Sequence, residues 1–114
     1  MSLELDEISL QQQFEEVIAS ENKLAIQEFL NDQNISDVAN LIYENEEYEC
    51  QIISNLSIHR AASVFKIIEL PTQKRIIRNL PSIKTTELLN ELPADDRVAF
   101  LEELPTSIVR DLIK

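Results

Sequence analysis

There is no glycine anywhere in the 114 residues. Turns that need positive φ therefore lack their cheapest residue, and Asn-Gly hairpins are not expected. The same absence excludes glycine-rich phosphate loops, dinucleotide fingerprints and Gly-x-Ser-x-Gly nucleophile elbows. Cysteine occurs once, at Cys50, which rules out an intrachain disulfide and a cysteine-based zinc site. A lone thiol suits a reducing compartment and reads as structural. The only histidine, His59, has no cysteine or Ser–Asp constellation assignable to it. A surface or boundary position is expected for it rather than a zinc site or hydrolytic triad. No stretch approaches the ~20 apolar residues of a membrane span. The N-terminus is acidic and polar, unlike a signal peptide. No catalytic constellation is visible, so an enzyme is not expected.

What the chain does have is acid. The net charge is −11. Residues 1–50 hold 13 acids and one base, Lys23, whereas residues 51–114 hold 8 acids and 9 bases. Such a chain repels phosphates, which argues against DNA or RNA as partner. The acidic half reads as a solvated face, or as a surface awaiting cations or a basic partner. Hydrophobic residues at 44% suffice for one continuous core.

A period runs through that core. Two adjacent apolar residues followed three later by a third occur at Ile52, Ile53 and Leu56, and at Val64, Phe65 and Ile68. The pattern returns at Ile76, Ile77 and Leu80, at Leu88, Leu89 and Leu92, and at Phe100, Leu101 and Leu104. Leu112 and Ile113 open a sixth copy. Each copy starts 12 residues after the last. Prolines follow the same rhythm at Pro81, Pro93 and Pro105, while Pro71 falls two residues late.

Apolar residues at i, i+1 and i+4 share one helical face. Proline lacks an N–H and disfavours a helical residue before it, so each Leu-Pro is expected to end one helix and start the next. Thr72, Ser82 and Thr106 are expected caps, with Asp95 serving after Pro93. Helices this short are marginal alone and must pack on one another. The expected fold is all-α: an armadillo/HEAT-like superhelical stack of short helices with a roughly 12-residue repeat, clearest over 52–114.

Upstream the pattern loosens. Helices are expected over Ile8–Ile18 and Glu21–Leu30, with a third capped by Ser36 and Asp37. Residues 1–20 read as an N-terminal acidic helix or tail, and 21–114 as the domain. Glu44, Glu46, Glu47 and Glu49 read as a solvated helix start or a weak diffuse cation site. Lys74, Arg75, Arg78 and Lys84 form a basic patch able to pair with the acidic half or with an acidic partner. No aromatic residue stands among them for nucleic-acid stacking.

At Leu92-Pro93-Ala94-Asp95-Asp96-Arg97, continuing to Leu104-Pro105, the chain resembles the cytosolic N-terminal domain of MgtE-type magnesium transporters. Asn34 to Ile42 is similar to that family's entry segment, and the likeness covers about residues 24–114. The resemblance implies an excised regulatory domain at the cytoplasmic face of the inner membrane. It implies as partners a CBS domain pair and a transmembrane pore of the same full-length homodimeric protein. It also implies weak, interdomain magnesium binding that favours docking on the CBS pair. The matching candidate ligands are Asp95 and Asp96, with Glu91 one turn before and Glu102 and Glu103 as possible interface acids. An acid expected one turn after Asp95 is replaced by Ala99. A second reading is a helical interaction scaffold, related to the flagellar rotor switch protein.

Overall fold

The structure, a computed structural model, describes residues 8–112, with side chains to residue 110. The second residue of the sixth apolar copy, Ile113, lies outside the described residues, as do residues 1–7 of the N-terminal segment. Among the described residues there are nine α-helices, one 3-10 turn and no strand. The helices are α1 (Leu10–Ala19), α2 (Lys23–Asp32), α3 (Ile35–Glu44), α4 (Glu49–Ser54), α5 (Ile58–Ile67), α6 (Leu70–Asn79), α7 (Ser82–Glu91), α8 (Ala94–Glu102) and α9 (Thr106–Leu112). The 3-10 turn, Glu46–Tyr48, leads into α4.

Helices α5 to α9 begin at residues 58, 70, 82, 94 and 106, so the 12-residue period is a period of helix starts. The corners explain it. Leu80 and Pro81 take φ/ψ of −81/148 and −58/145. Leu92 and Pro93 take −70/147 and −53/147. Proline's ring holds its own φ and pushes the preceding leucine out of the helical region, so two extended residues make each corner.

Pro71 departs from expectation. The corner before α6 is Ile68-Glu69, at −85/159 and −69/151, and it keeps the period. Pro71 sits inside the first turn of α6, where its missing N–H is not needed. The expected caps are corrected too. Pro81 and Pro93 occupy the cap positions of α7 and α8, and neither helix has a side-chain cap bond. Ser82 and Asp95 therefore lie within their helices, as does Thr106 at the start of α9. Thr72 is buried within α6, and α6 has no side-chain cap bond. Upstream, Asn34 rather than Ser36 or Asp37 caps α3, its side chain accepting from the Asp37 N–H at 2.8 Å. Ser9 and Gln12 form a capping box on α1, and Asn22 caps α2.

Helix C-termini also manage without glycine. Asn31, Asn45, Asn55 and Asn79 each donate from the side-chain amide to the carbonyl four residues back, at 2.7–2.9 Å. Arg60 of α5 reaches across to donate to the Leu30 carbonyl at 3.2 Å, and to that of Gln33. The sole positive φ at a described residue is Glu21, at 55°, between α1 and α2.

The helices pack in alternation. α3, α5, α7 and α9 meet in turn as one row, and α4 meets α6 in a second. α1 packs on α2 and α3, and its Phe14, 1% exposed, joins the common core. Every member of the repeating apolar triplets from Ile52 to Phe100 is buried, while Leu101 and Leu104 are half-buried. The body is elongated, 56 × 24 × 21 Å.

Glu69 stands where the later corners carry proline because its N–H is in use, donating to the Tyr43 hydroxyl at 2.9 Å. Glu69→Pro is therefore expected to give no gain alone, but to add about 0.5–1 kcal/mol in a Tyr43→Phe background, read by urea unfolding. Thr85, 1% exposed, keeps a buried hydroxyl without a partner. Thr85→Val is expected to raise stability by about 1 kcal/mol in the same assay.

Candidate cation and docking face

Helix α8 carries the acids that the motif singles out. Asp95 and Asp96 are the second and third residues of α8, where the unpaired N–H groups and the helix dipole favour negative charge by ~0.3–1 kcal/mol. Both are exposed. Asp96 Oδ2 lies 4.0 Å from Lys66 Nζ of α5. Asp95 forms no ion pair among the described residues.

Glu91 is engaged elsewhere. It ends α7, where the dipole is unfavourable to it, and its Oε1 lies 2.5 Å from His59 Nδ1 of α5. His59 is a surface residue, 83% exposed, whose described partner is this carboxylate. Glu102 and Glu103 stand exposed at the other end of α8, about 10 Å along the helix from Asp95 at ~1.5 Å per residue. The five acids thus divide into three places. Among the described residues, no group of three or more His, Cys, Asp or Glu side chains is arranged to hold a metal. Magnesium takes six oxygens and readily keeps water as ligand. Asp95 and Asp96 can supply one or two of those oxygens, and the remainder would come from water and a second body.

The acid run before α4 divides differently. Glu44, Glu46 and Glu47 are exposed, as a solvated helix start requires. Glu49 is not: it is buried, and Arg75 of α6 grips it with two bonds, Nε to Oε2 at 2.7 Å and a terminal nitrogen to Oε1 at 3.1 Å. Glu46 adds a contact to Arg75 at 3.4 Å. The hydrogen bond that Arg75 donates to Glu49 holds the Arg75 guanidinium further above its already high ordinary value. The sequence does hold a signal for this burial. Glu49 precedes Ile52 by three and Ile53 by four, which places it on the apolar face of α4. The basic patch is thus divided as well. Arg75 turns to the acidic half, while Lys74, Arg78 and Lys84 form no ion pair among the described residues.

A family model described as the MgtE intracellular N domain matches residues 33–114. The chain belongs to this family. The match begins at the entry to α3 and takes in α8 with both of its acid pairs. The MgtE N domain is a regulatory domain of magnesium transporters and not a catalytic family. No curated protein matches the chain. No described helix is long and apolar enough to cross a membrane.

Cys50, beside Glu49, is half-buried, with Sγ 3.8 Å from the Ile76 carbonyl. Burial, then the Glu49 charge, raises its thiol above the ordinary range, opposed by Arg75. The folded state therefore holds the proton more tightly than the unfolded chain does. The resulting stability is present in full below the unfolded thiol value of about 8.5 and is lost as pH rises past it. The stability advantage of the wild type over Cys50→Ala is expected to shrink between pH 8 and 10, measured by urea unfolding at each pH.

Proposed function

We propose that this domain senses intracellular magnesium by cation-dependent docking on a CBS domain pair of the same full-length transporter. The observation that carries the reading is Asp95: an exposed carboxylate at a helix N-terminus, without an ion pair among the described residues, in a member of the MgtE N-domain family. A free carboxylate on a body of net charge −11 opposes approach to another acidic surface. A divalent cation between the two removes that repulsion and gains oxygen ligands from both sides. Because the ion binds the docked state better than the separated one, rising magnesium shifts the population toward docking. Docking then favours the closed pore, and low magnesium releases the domain. In this reading the domain lies at the cytoplasmic face of the inner membrane, within a homodimer, and binds magnesium weakly when alone.

Asp95 is the leading ligand, with Asp96 second because Lys66 already shares its charge. Glu91 contributes after giving up His59, and Glu102 and Glu103 make interface contacts rather than ion contacts.

The test joins this chain to its downstream sequence and follows domain separation by fluorescence energy transfer during a magnesium titration. Asp95→Asn is expected to raise the magnesium midpoint about tenfold, and Asp96→Asn by less. Docking that ignores magnesium would overturn the reading.

A further inference from the structure

Two of the candidate acids are held by side chains of one helix. His59 and Lys66 both belong to α5, and a spacing of seven residues puts them on the same side of it, about two turns apart. His59 meets Glu91 at the end of α7, and Lys66 Nζ lies 4.0 Å from Asp96 Oδ2 in the first turn of α8. α5 packs directly on α7, which holds this strip beside the acids. Asp95, next to Asp96, has no such partner among the described residues.

The Lys66 contact is the one that bears on a cation. Lys66 stands in the last turn of α5, where the helix dipole favours a positive charge. It lines the same open groove as Asp96, and the two side chains are 45% and 50% exposed. An ion arriving from solvent or from a partner surface therefore meets the carboxylate that Lys66 already neutralises. A divalent cation ligated by Asp96 would stand within a few ångströms of the ammonium, and the like charges require Lys66 to swing away. A pair this exposed adds little to folding, so the domain does not need the contact for its structure.

We infer that Lys66 is a built-in competitor for the cation at Asp96, so that α5 sets the magnesium concentration at which the docking face responds. The inference rests on the reading proposed above and adds to it the residue that places its threshold. Lys66 stabilises the undocked domain by neutralising Asp96, and docking around an ion gives that contact up. At low magnesium the tethered charge keeps the carboxylate, and only a higher concentration displaces it.

The chain joined to its downstream sequence is titrated with magnesium, with energy transfer as the readout. Lys66→Gln is expected to lower the docking midpoint about two- to fivefold, and Lys66→Arg to keep it near the wild type. Arg78→Gln removes the same unit of charge at an exposed position without an ion pair among the described residues, and is expected to leave the midpoint in place. An unchanged midpoint in Lys66→Gln overturns the inference. So does a raised one, which would mean that Lys66 grips the partner domain. Equal lowering by Arg78→Gln also overturns it, because net charge alone would then be the cause.

A second arm uses the 114-residue chain alone and separates this inference from the docking reading. Manganese(II) shares magnesium's preference for carboxylate and water, and it broadens amide NMR signals near the bound ion. The Asp95 and Asp96 signals are expected to broaden at about two- to fivefold lower manganese in Lys66→Gln than in the wild type or Arg78→Gln. That result beside docking that ignores magnesium would remove the docking reading and leave Lys66 as the competitor at Asp96. Matching manganese profiles for the wild type and Lys66→Gln overturn the inference whatever the joined chain does.

Discussion

The three corners from α5 to α8 each turn on two consecutive extended residues, and the regularity of the repeat follows from that. Many helices end on a residue at positive φ, usually glycine. Here Ile68-Glu69, Leu80-Pro81 and Leu92-Pro93 pass straight from one helix to the next through φ/ψ that any L-residue adopts. Ten helical residues and a two-residue corner make twelve. Adding or removing one residue would rotate the next helix by ~100° and carry its apolar pair off the core. Uniform corners therefore keep Ile76-Ile77 and Leu88-Leu89 facing inward and set α5 against α7. Glycine is dispensable because no corner from α5 to α8 asks for it.

The cost of that economy appears at the carbonyls that helix ends leave unpaired. Side-chain amides of Asn31, Asn45, Asn55 and Asn79 fold back onto them, and Arg60 reaches from α5 to the end of α2. Long-range polar ties also join the two unlike halves of the chain. Glu49 belongs to the acidic half and Arg75 to the basic half, and their two-bonded pair sits against the core. Removing Arg75 alone would leave a buried charge uncompensated, which costs more than the pair itself contributes. The sharp division of charge along the sequence is thus partly neutralised inside the fold, and the outward remainder lies on α1 to α3, the acidic turn and α8.

The all-α repeat and nearly the whole core were legible in the sequence because a strict period of apolar pairs has few structural solutions. Pro71 misled because a proline looks the same at a corner and within a first helical turn, and only the backbone separates the two. Ser82, Thr106 and Asp95 looked like caps because polar residues after proline commonly are, yet proline itself occupies the cap positions of α7 and α8. Glu49 was hidden by its company: composition marks an acid run as solvent-facing, while its spacing to Ile52 and Ile53 marked one member as core-facing. The candidate acids were found by motif, but their separation was not. That Glu91 is drawn to His59 rather than to Asp95 depends on how α5 meets α7, which no local pattern encodes.

That separation bears on how the domain acts. Acids collected into one pocket would hold a cation without help, and the domain would carry its ion whether docked or free. Under the proposed function, acids spread over both ends of α8 and the end of α7 would hold none tightly, since each offers magnesium too few oxygens to replace its water. Under the proposed reading this is an advantage, because a switch requires the ion to distinguish two states rather than to bind one of them strongly. Half a site on α8 would give that difference: the coordination gained on docking would be the whole of the signal, with little of the ion's affinity spent on the undocked form. The fold supports this by presenting Asp95 from a helix terminus, where the dipole stabilises the bare carboxylate while it waits.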